Sequence, residues 1–185
     1  MFIEMSASQE FILKIKKILV DKLSQDTINK YLIIQASTQK LYLIDNDKIS
    51  FESSVSTSKN GLGNNNGSYK TPLGLHRIKE KIGEKESIYT IFESRQPTKS
   101  KYDLQNIPDK DLITSRIIWL DGIEKGINLG GEVDTFSRYI YIHGTPHENQ
   151  IGTPVSHGCI RMKNDEIINL FQMVDIGTPV VIIDG

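Results

Sequence analysis

The 185-residue chain has one cysteine, Cys159, so no disulfide can form within it. It has no run of about 18 apolar residues, which leaves no segment able to span a membrane as a helix. Neither sign of charge is in excess. Lys and Arg number 22 against 23 Asp and Glu, and no basic stripe interrupts that balance, so the electrostatic footprint of a nucleic-acid binder is missing. Residues 1–10 lack the basic and apolar regions of a secretory signal, and the apolar stretch at 11–20 is broken by Lys14, Lys16 and Lys17. Read as it stands, the sequence points to the cytoplasm; a periplasmic location is the alternative for a trimmed sequence. No internal repeat is visible.

What is present suits an ordinary globular domain. Hydrophobic residues make up 38% and charged residues 24%, enough of each to fold around a core and stay soluble. Phe11, Ile12, Ile15, Ile18, Leu19 and Leu23 recur at three- and four-residue steps and predict a helix packed on the main domain, with Ser8 as its cap. Strands follow at 31–35, 40–44 and 49–55; in the second, Leu41 and Leu43 alternate with Tyr42 and Ile44, so both faces are apolar. A polar loop rich in Asn and Gly spans 58–70. Asn66-Gly-Ser68 formally matches a glycosylation acceptor there but reads as loop chemistry. Thr71 opens a further strand through Ile78. The polar stretch 83–112 has no clear pattern. Strands are expected at 115–120, 138–143 and 179–183, and a helix at 164–173 capped by Asn164. Many strands, two helices and no βαβ alternation predict a mainly β, antiparallel sandwich or barrel-like domain over 31–185, preceded by a helical extension at 1–30.

Chemistry concentrates in Tyr139-Ile-Tyr-Ile-His-Gly-Thr145 and, after a loop, Ser156-His-Gly-Cys-Ile-Arg-Met162. A thiol is a poor nucleophile at neutral pH until an imidazole takes its proton. A strand ending at His143 and a loop returning Cys159 would bring the two together. Gly158 allows a tight turn that aims N–H groups at a developing oxyanion, and the Gly144 carbonyl is the candidate orienter of His143. Arg161 suits a bidentate grip on a substrate carboxylate, or else ties the Cys loop to the fold. Ser156 either hydrogen-bonds locally or faces substrate, and Tyr141 and His157 beside the pair are further candidates for substrate contact. His147 reads as exposed loop and His76 as an ordinary strand residue. A competing metal reading takes His143, His147, His157 and Cys159 as zinc ligands, but Gly144 and Pro146 break the helical His-x-x-x-His spacing.

These two motifs, with Val55-Ser-Thr-Ser58 and Lys70-Thr-Pro-Leu-Gly-Leu75 upstream, resemble the signature of the L,D-transpeptidases of the YkuD or ErfK/YbiS/YcfS/YnhG type. Ser58 stands where many members have Gly, and Arg161 where many have Asn. The resemblance implies a β-rich domain with a pocket over Cys159 and no cofactor. It implies acyl transfer on peptidoglycan stem peptides or muropeptides. Cys159 is then the nucleophile, His143 the base, Gly158 and Cys159 the oxyanion donors, and His157 a shaper of the pocket. The bond attacked lies between the third residue, often meso-diaminopimelate, and the D-alanine at position four, and a carbapenem should acylate the thiol. The acceptor stays open. A cytoplasmic L,D-carboxypeptidase or D-amino-acid exchanger in peptidoglycan recycling is preferred over a cell-wall 3→3 cross-linker. A general cysteine peptidase and a non-catalytic wall-binding module are the readings from other classes.

Overall fold

In chain order the helices are α1 (Ala7–Leu23) and α2 (Asn164–Met173), the latter near the C-terminal end. The structure, a computed structural model, describes residues 7–24 and 26–185. The strands are β1 (Lys30–Gln35), β2 (Lys40–Asp45), β3 (Lys48–Ser54), β4 (Gly74–Ile82), β5 (Thr90–Glu93), β6 (Gln96–Lys101), β7 (Ile113–Gly122), β8 (Tyr141–Gly144), β9 (Ile160–Met162) and β10 (Pro179–Ile183). They form one connected sheet in the order β3-β2-β1-β10-β4-β7-β5-β6, with β8 on β7 and β9 on β8. Pairing is antiparallel except at β1–β10 and β8–β9. The mainly β, mostly antiparallel architecture expected from the sequence is therefore present.

Two-residue alternation gives the sheet two apolar faces. Leu32, Ile34, Leu41, Leu43, Val180 and Ile182 point into the main core, where α2 contributes Ile167, Leu170 and Phe171. Their neighbours Tyr31, Ile33, Ile44 and Val181 point the other way and meet Ile12, Ile15 and Leu19 of α1. That is why both faces of β2 read as apolar. The Tyr31 hydroxyl donates to the Ile12 carbonyl (3.0 Å) and pins α1 to β1. Leu19 is fully buried, which is worth about 2–3 kcal/mol to the docked helix. Two details of the expected helix change. Ile18 is 39% exposed, off the buried stripe, and Ser8 lies inside the helix rather than ahead of it.

The β4 strand starts at Gly74, not Thr71, and β8 starts at Tyr141, not Arg138. Tyr139 has φ of 57°, which ends any extended run there. The stretch without a sequence pattern holds the β5–β6 hairpin. Its turn residues Ser94 and Arg95 both have positive φ (48° and 68°), a two-residue turn made without Gly or Asn. β6 is an edge strand with almost no buried side chain, so it lacks an apolar alternation. The site depends most on β7. It pairs with β8 along one edge, from Thr114 to Trp119, and along the other with β5 at Ile113 and Thr114 before β4 takes over from Ile117 to Gly122. The change of partner coincides with a register shift between Thr114 and Ile117, where Ser115 has φ of 64°.

Candidate active site

Cys159 is the residue just before β9, at the end of a loop held from several directions. The buried Ser156 hydroxyl donates to the Cys159 carbonyl (2.6 Å) and accepts the Gly158 N–H (3.2 Å). Gly158 has φ of 127°, a left-handed value that side chains rarely adopt, and a Cβ there would lie 3.4 Å from both Ile140 and the Lys70 carbonyl. Thr71 donates its hydroxyl to the Gly158 carbonyl (2.9 Å) and accepts the Ser58 N–H (2.9 Å). Ser56 and Arg161 exchange backbone hydrogen bonds, each of 2.9 Å. The two upstream motifs thus act as clamps on the Cys segment. Ser58 adds to them by donating to the Tyr69 carbonyl (2.5 Å). Arg138 braces the Asn/Gly loop by donating to the carbonyls of Gly63, Asn64 and Lys70.

His143 sits on β8, 3% exposed, opposite Arg161 in the parallel β8–β9 ladder. Its Nδ1–H donates to the Gly144 carbonyl (2.7 Å), the orienter expected from the sequence. That bond fixes the tautomer and leaves Nε2 as the basic nitrogen. His143 and Cys159 line one cavity of about 140 Å³ with Asp111, Ile113, Ser156, His157 and Arg161. The sulfur packs against the cluster of Trp119 and Tyr141. It accepts the Tyr141 N–H (3.4 Å) and donates to the Tyr139 carbonyl (3.3 Å).

Burial dominates the electrostatics. It pushes the Cys159 thiol up to about 11, against the pull of the Tyr141 N–H and with help from the negative Asp111. It lowers His143 to about 4, with help from the positive Arg161 and against the Gly144 carbonyl and Asp111, which favour the charged ring. Both shifts favour the uncharged forms of the pair.

The remaining expected residues fall out as follows. His157 lines the cavity with its side chain 52% exposed and its Nδ1 3.3 Å from Asp111 Oδ2. Arg161 also lines it and forms an ion pair with Asp111. Ser156 bonds locally, as one of the two sequence readings held. Tyr141 is buried and outside the cavity lining; its ring meets Trp119 edge-on (5.3 Å, 88°), and its backbone serves the sulfur. His147 is half-buried rather than exposed, with Nε2 donating to the Pro108 carbonyl (2.9 Å). This turns it away from the zinc arrangement. Among the described residues no three His, Cys, Asp or Glu side chains converge as metal ligands. His76 is fully buried on β4, bonded to the Gly74 carbonyl (3.0 Å) and Thr135 (3.2 Å).

Two features escaped the sequence. Asn164 is not the cap of α2; that position falls on Lys163, which makes no capping bond. The Asn164 side chain instead accepts from Thr114 (2.7 Å) and Ser115 (2.5 Å). It donates to the Thr145 carbonyl (2.8 Å) and Glu148 (2.6 Å), and Glu148 also accepts the Asn164 N–H (2.8 Å). This buried network ties β7, α2 and the segment after His143 together. Asp111 is the second, an acid from a patternless loop with nothing local to single it out.

The family model for the YkuD L,D-transpeptidase catalytic domain matches residues 29–182, and the chain belongs to that family. Among curated relatives, the putative L,D-transpeptidase YqjB of Bacillus subtilis is 52% identical over 50 residues, covering 27% of this chain and 28% of that protein. The probable L,D-transpeptidase YbiS of Escherichia coli is 49% identical over 47 residues, covering 25% and 15%. The matches thus span under a third of either relative. The fold is shared with an L,D-transpeptidase of Enterococcus faecium (TM-score 0.52, 16% identity, 84% of this chain and 50% of that one). It is also shared with LdtMt1 in complex with imipenem (TM-score 0.52, 20% identity, 83% and 58%).

Proposed function

We propose that this chain cleaves the L,D bond between the third residue of a peptidoglycan stem peptide and the D-alanine at position four, through a thioester on Cys159. The observation that carries the reading is the shared cavity. It places the thiol beside an imidazole whose Nδ1 is committed to Gly144, so that Nε2 alone can take a proton. On substrate binding the thiol proton passes to Nε2, and sulfur attacks the carbonyl carbon. The oxyanion is met first by the Cys159 N–H, because the Gly158 N–H is already shared with Ser156. Collapse expels D-alanine, whose amine takes the proton from the imidazolium. Water or an amine then attacks the thioester, with His143 again as base.

For the acceptor we favour water or a free D-amino acid over a second stem peptide. The support is size: about 140 Å³ is small beside ligand clefts of about 300–1,000 Å³. A cytoplasmic site of action on soluble precursors or fragments belongs to the same proposal, and cell fractionation tests it. The alternative is 3→3 cross-linking in the wall. The YkuD family and the imipenem complex of LdtMt1 also support a carbapenem as a covalent ligand of Cys159.

The experiment is mass spectrometry of disaccharide tetrapeptide after incubation, with and without a D-amino acid. Tripeptide with free D-alanine supports the favoured reading. A 3→3 dimer selects the cross-linker, and cleavage of ordinary L-peptides alone would refute both.

A further inference from the structure

Two basic side chains and one acid meet at the cavity. Arg161 is buried, its side chain 5% exposed, while Asp111, which pairs with its Nη2, is 38% exposed. The same Asp111 oxygen lies near Nδ1 of His157. The Arg161 Nε is buried and, among the described residues, has no hydrogen-bond partner. Nε–H and Nη2–H form the edge of a guanidinium that grips both oxygens of one carboxylate. Asp111 uses only half of that edge. A buried guanidinium needs an anion, whereas a half-exposed carboxylate returns to water at little cost. Asp111 also belongs to the stretch between β6 and β7, 102–112, where no helix or long strand anchors it.

We infer that the Nε–Nη2 edge of Arg161, with His157 beside it, is a carboxylate subsite, and that Asp111 sets its selectivity by competing for it. An incoming carboxylate displaces Asp111 from Nη2 and satisfies Nε as well. A neutral or cationic group cannot do so without leaving Arg161 buried and unpaired. Asp111 lines the cavity, so its withdrawal also enlarges the space around Cys159. Identifying the ligand as a carboxylate of the stem peptide rests on the proposed function; the subsite itself rests only on the Arg161 geometry.

Two measurements on the full chain test this. The first compares melting temperatures in sodium acetate and sodium chloride at equal ionic strength. Asp111→Ala should lose on the order of 5 °C, and acetate but not chloride should restore most of the loss, leaving the unmutated protein unmoved. No loss, or equal rescue by chloride, would overturn the inference. The second is turnover of the disaccharide tetrapeptide. Asp111→Asn should lower KM about tenfold, as expected when a competitor is removed. Adding Arg161→Lys should abolish that gain. A KM unchanged or raised by Asp111→Asn would overturn the inference. If no variant turns over the peptide, the proposed function fails, and the acetate comparison still decides the subsite.

Discussion

The thiol of Cys159 donates its hydrogen bond to the Tyr139 carbonyl, 3.3 Å away, and not to His143. Burial raises the thiol and lowers the imidazole, and both shifts oppose a standing thiolate–imidazolium pair. The proton must move when substrate arrives. Alkylation of Cys159 by iodoacetamide should therefore rise about tenfold per pH unit through pH 6–10, because only the thiolate reacts. At pH 7 it should be about a hundredfold slower than an exposed cysteine, since the thiol stands two units above its ordinary 9.0. A rate already level by pH 6 would reveal a preformed ion pair.

Removing either member of the pair should stop turnover. Cys159→Ala deletes the nucleophile and should leave no thioester and no release of D-alanine. His143→Ala deletes the base and should cost about 10²–10⁴ in kcat. Carbapenem acylation, followed by intact mass, separates the two: it is lost in the first and slowed in the second. Normal release of D-alanine by either variant would refute the assignment.

Sequence and structure part company where local pattern does not carry the signal. The His143 and Cys159 motifs were readable because the chemistry needs those residue types, and the two-faced sheet was readable from its period-two alternation. Asp111 was not, because it acts through Arg161, 50 residues later in the chain. Asn164 looked like a cap because Asn before an apolar periodic run usually is one. Its actual partners, Thr114 and Ser115, lie on a strand far away in sequence. The β5–β6 hairpin hid because an exposed edge strand has no apolar face and its turn uses Ser94 and Arg95 where Asn-Gly would have been recognised.

Gly144 should be the least replaceable glycine in the site. A Cβ there would stand 2.6 Å from both Asn164 Oδ1 and the Thr114 carbonyl, and neither is a free side-chain tip. Gly144→Ala should cost about 1–3 kcal/mol from overpacking alone. It should also shift the carbonyl that orients His143, so kcat falls in whatever protein still folds. Urea unfolding and turnover of the same preparation check both effects; an unchanged midpoint would mean that the Asn164 network yields more easily than its hydrogen bonds suggest.

Acid should unfold the domain partly through its two buried histidines. Burial holds His76 and His143 at about 4, against an ordinary value of 6.5. Above pH 6.5 both rings are neutral whether the chain is folded or not, and this contribution to stability is complete. As pH falls from about 6.5 to about 4, the unfolded chain takes up protons that the folded one refuses. Stability then drops as the pH falls through that window, with a slope of up to one proton for each ring. His76→Gln removes the ring that does not line the Cys159 cavity, so its unfolding free energy should be lower at pH 7, where the bonds to Gly74 and Thr135 are lost. Between pH 6.5 and 4 its slope should be shallower by one proton. Urea unfolding at half-unit steps of pH measures that slope. Equal slopes in the two proteins would mean that His76 takes up its proton in the folded state, and that its buried network has room for the charge.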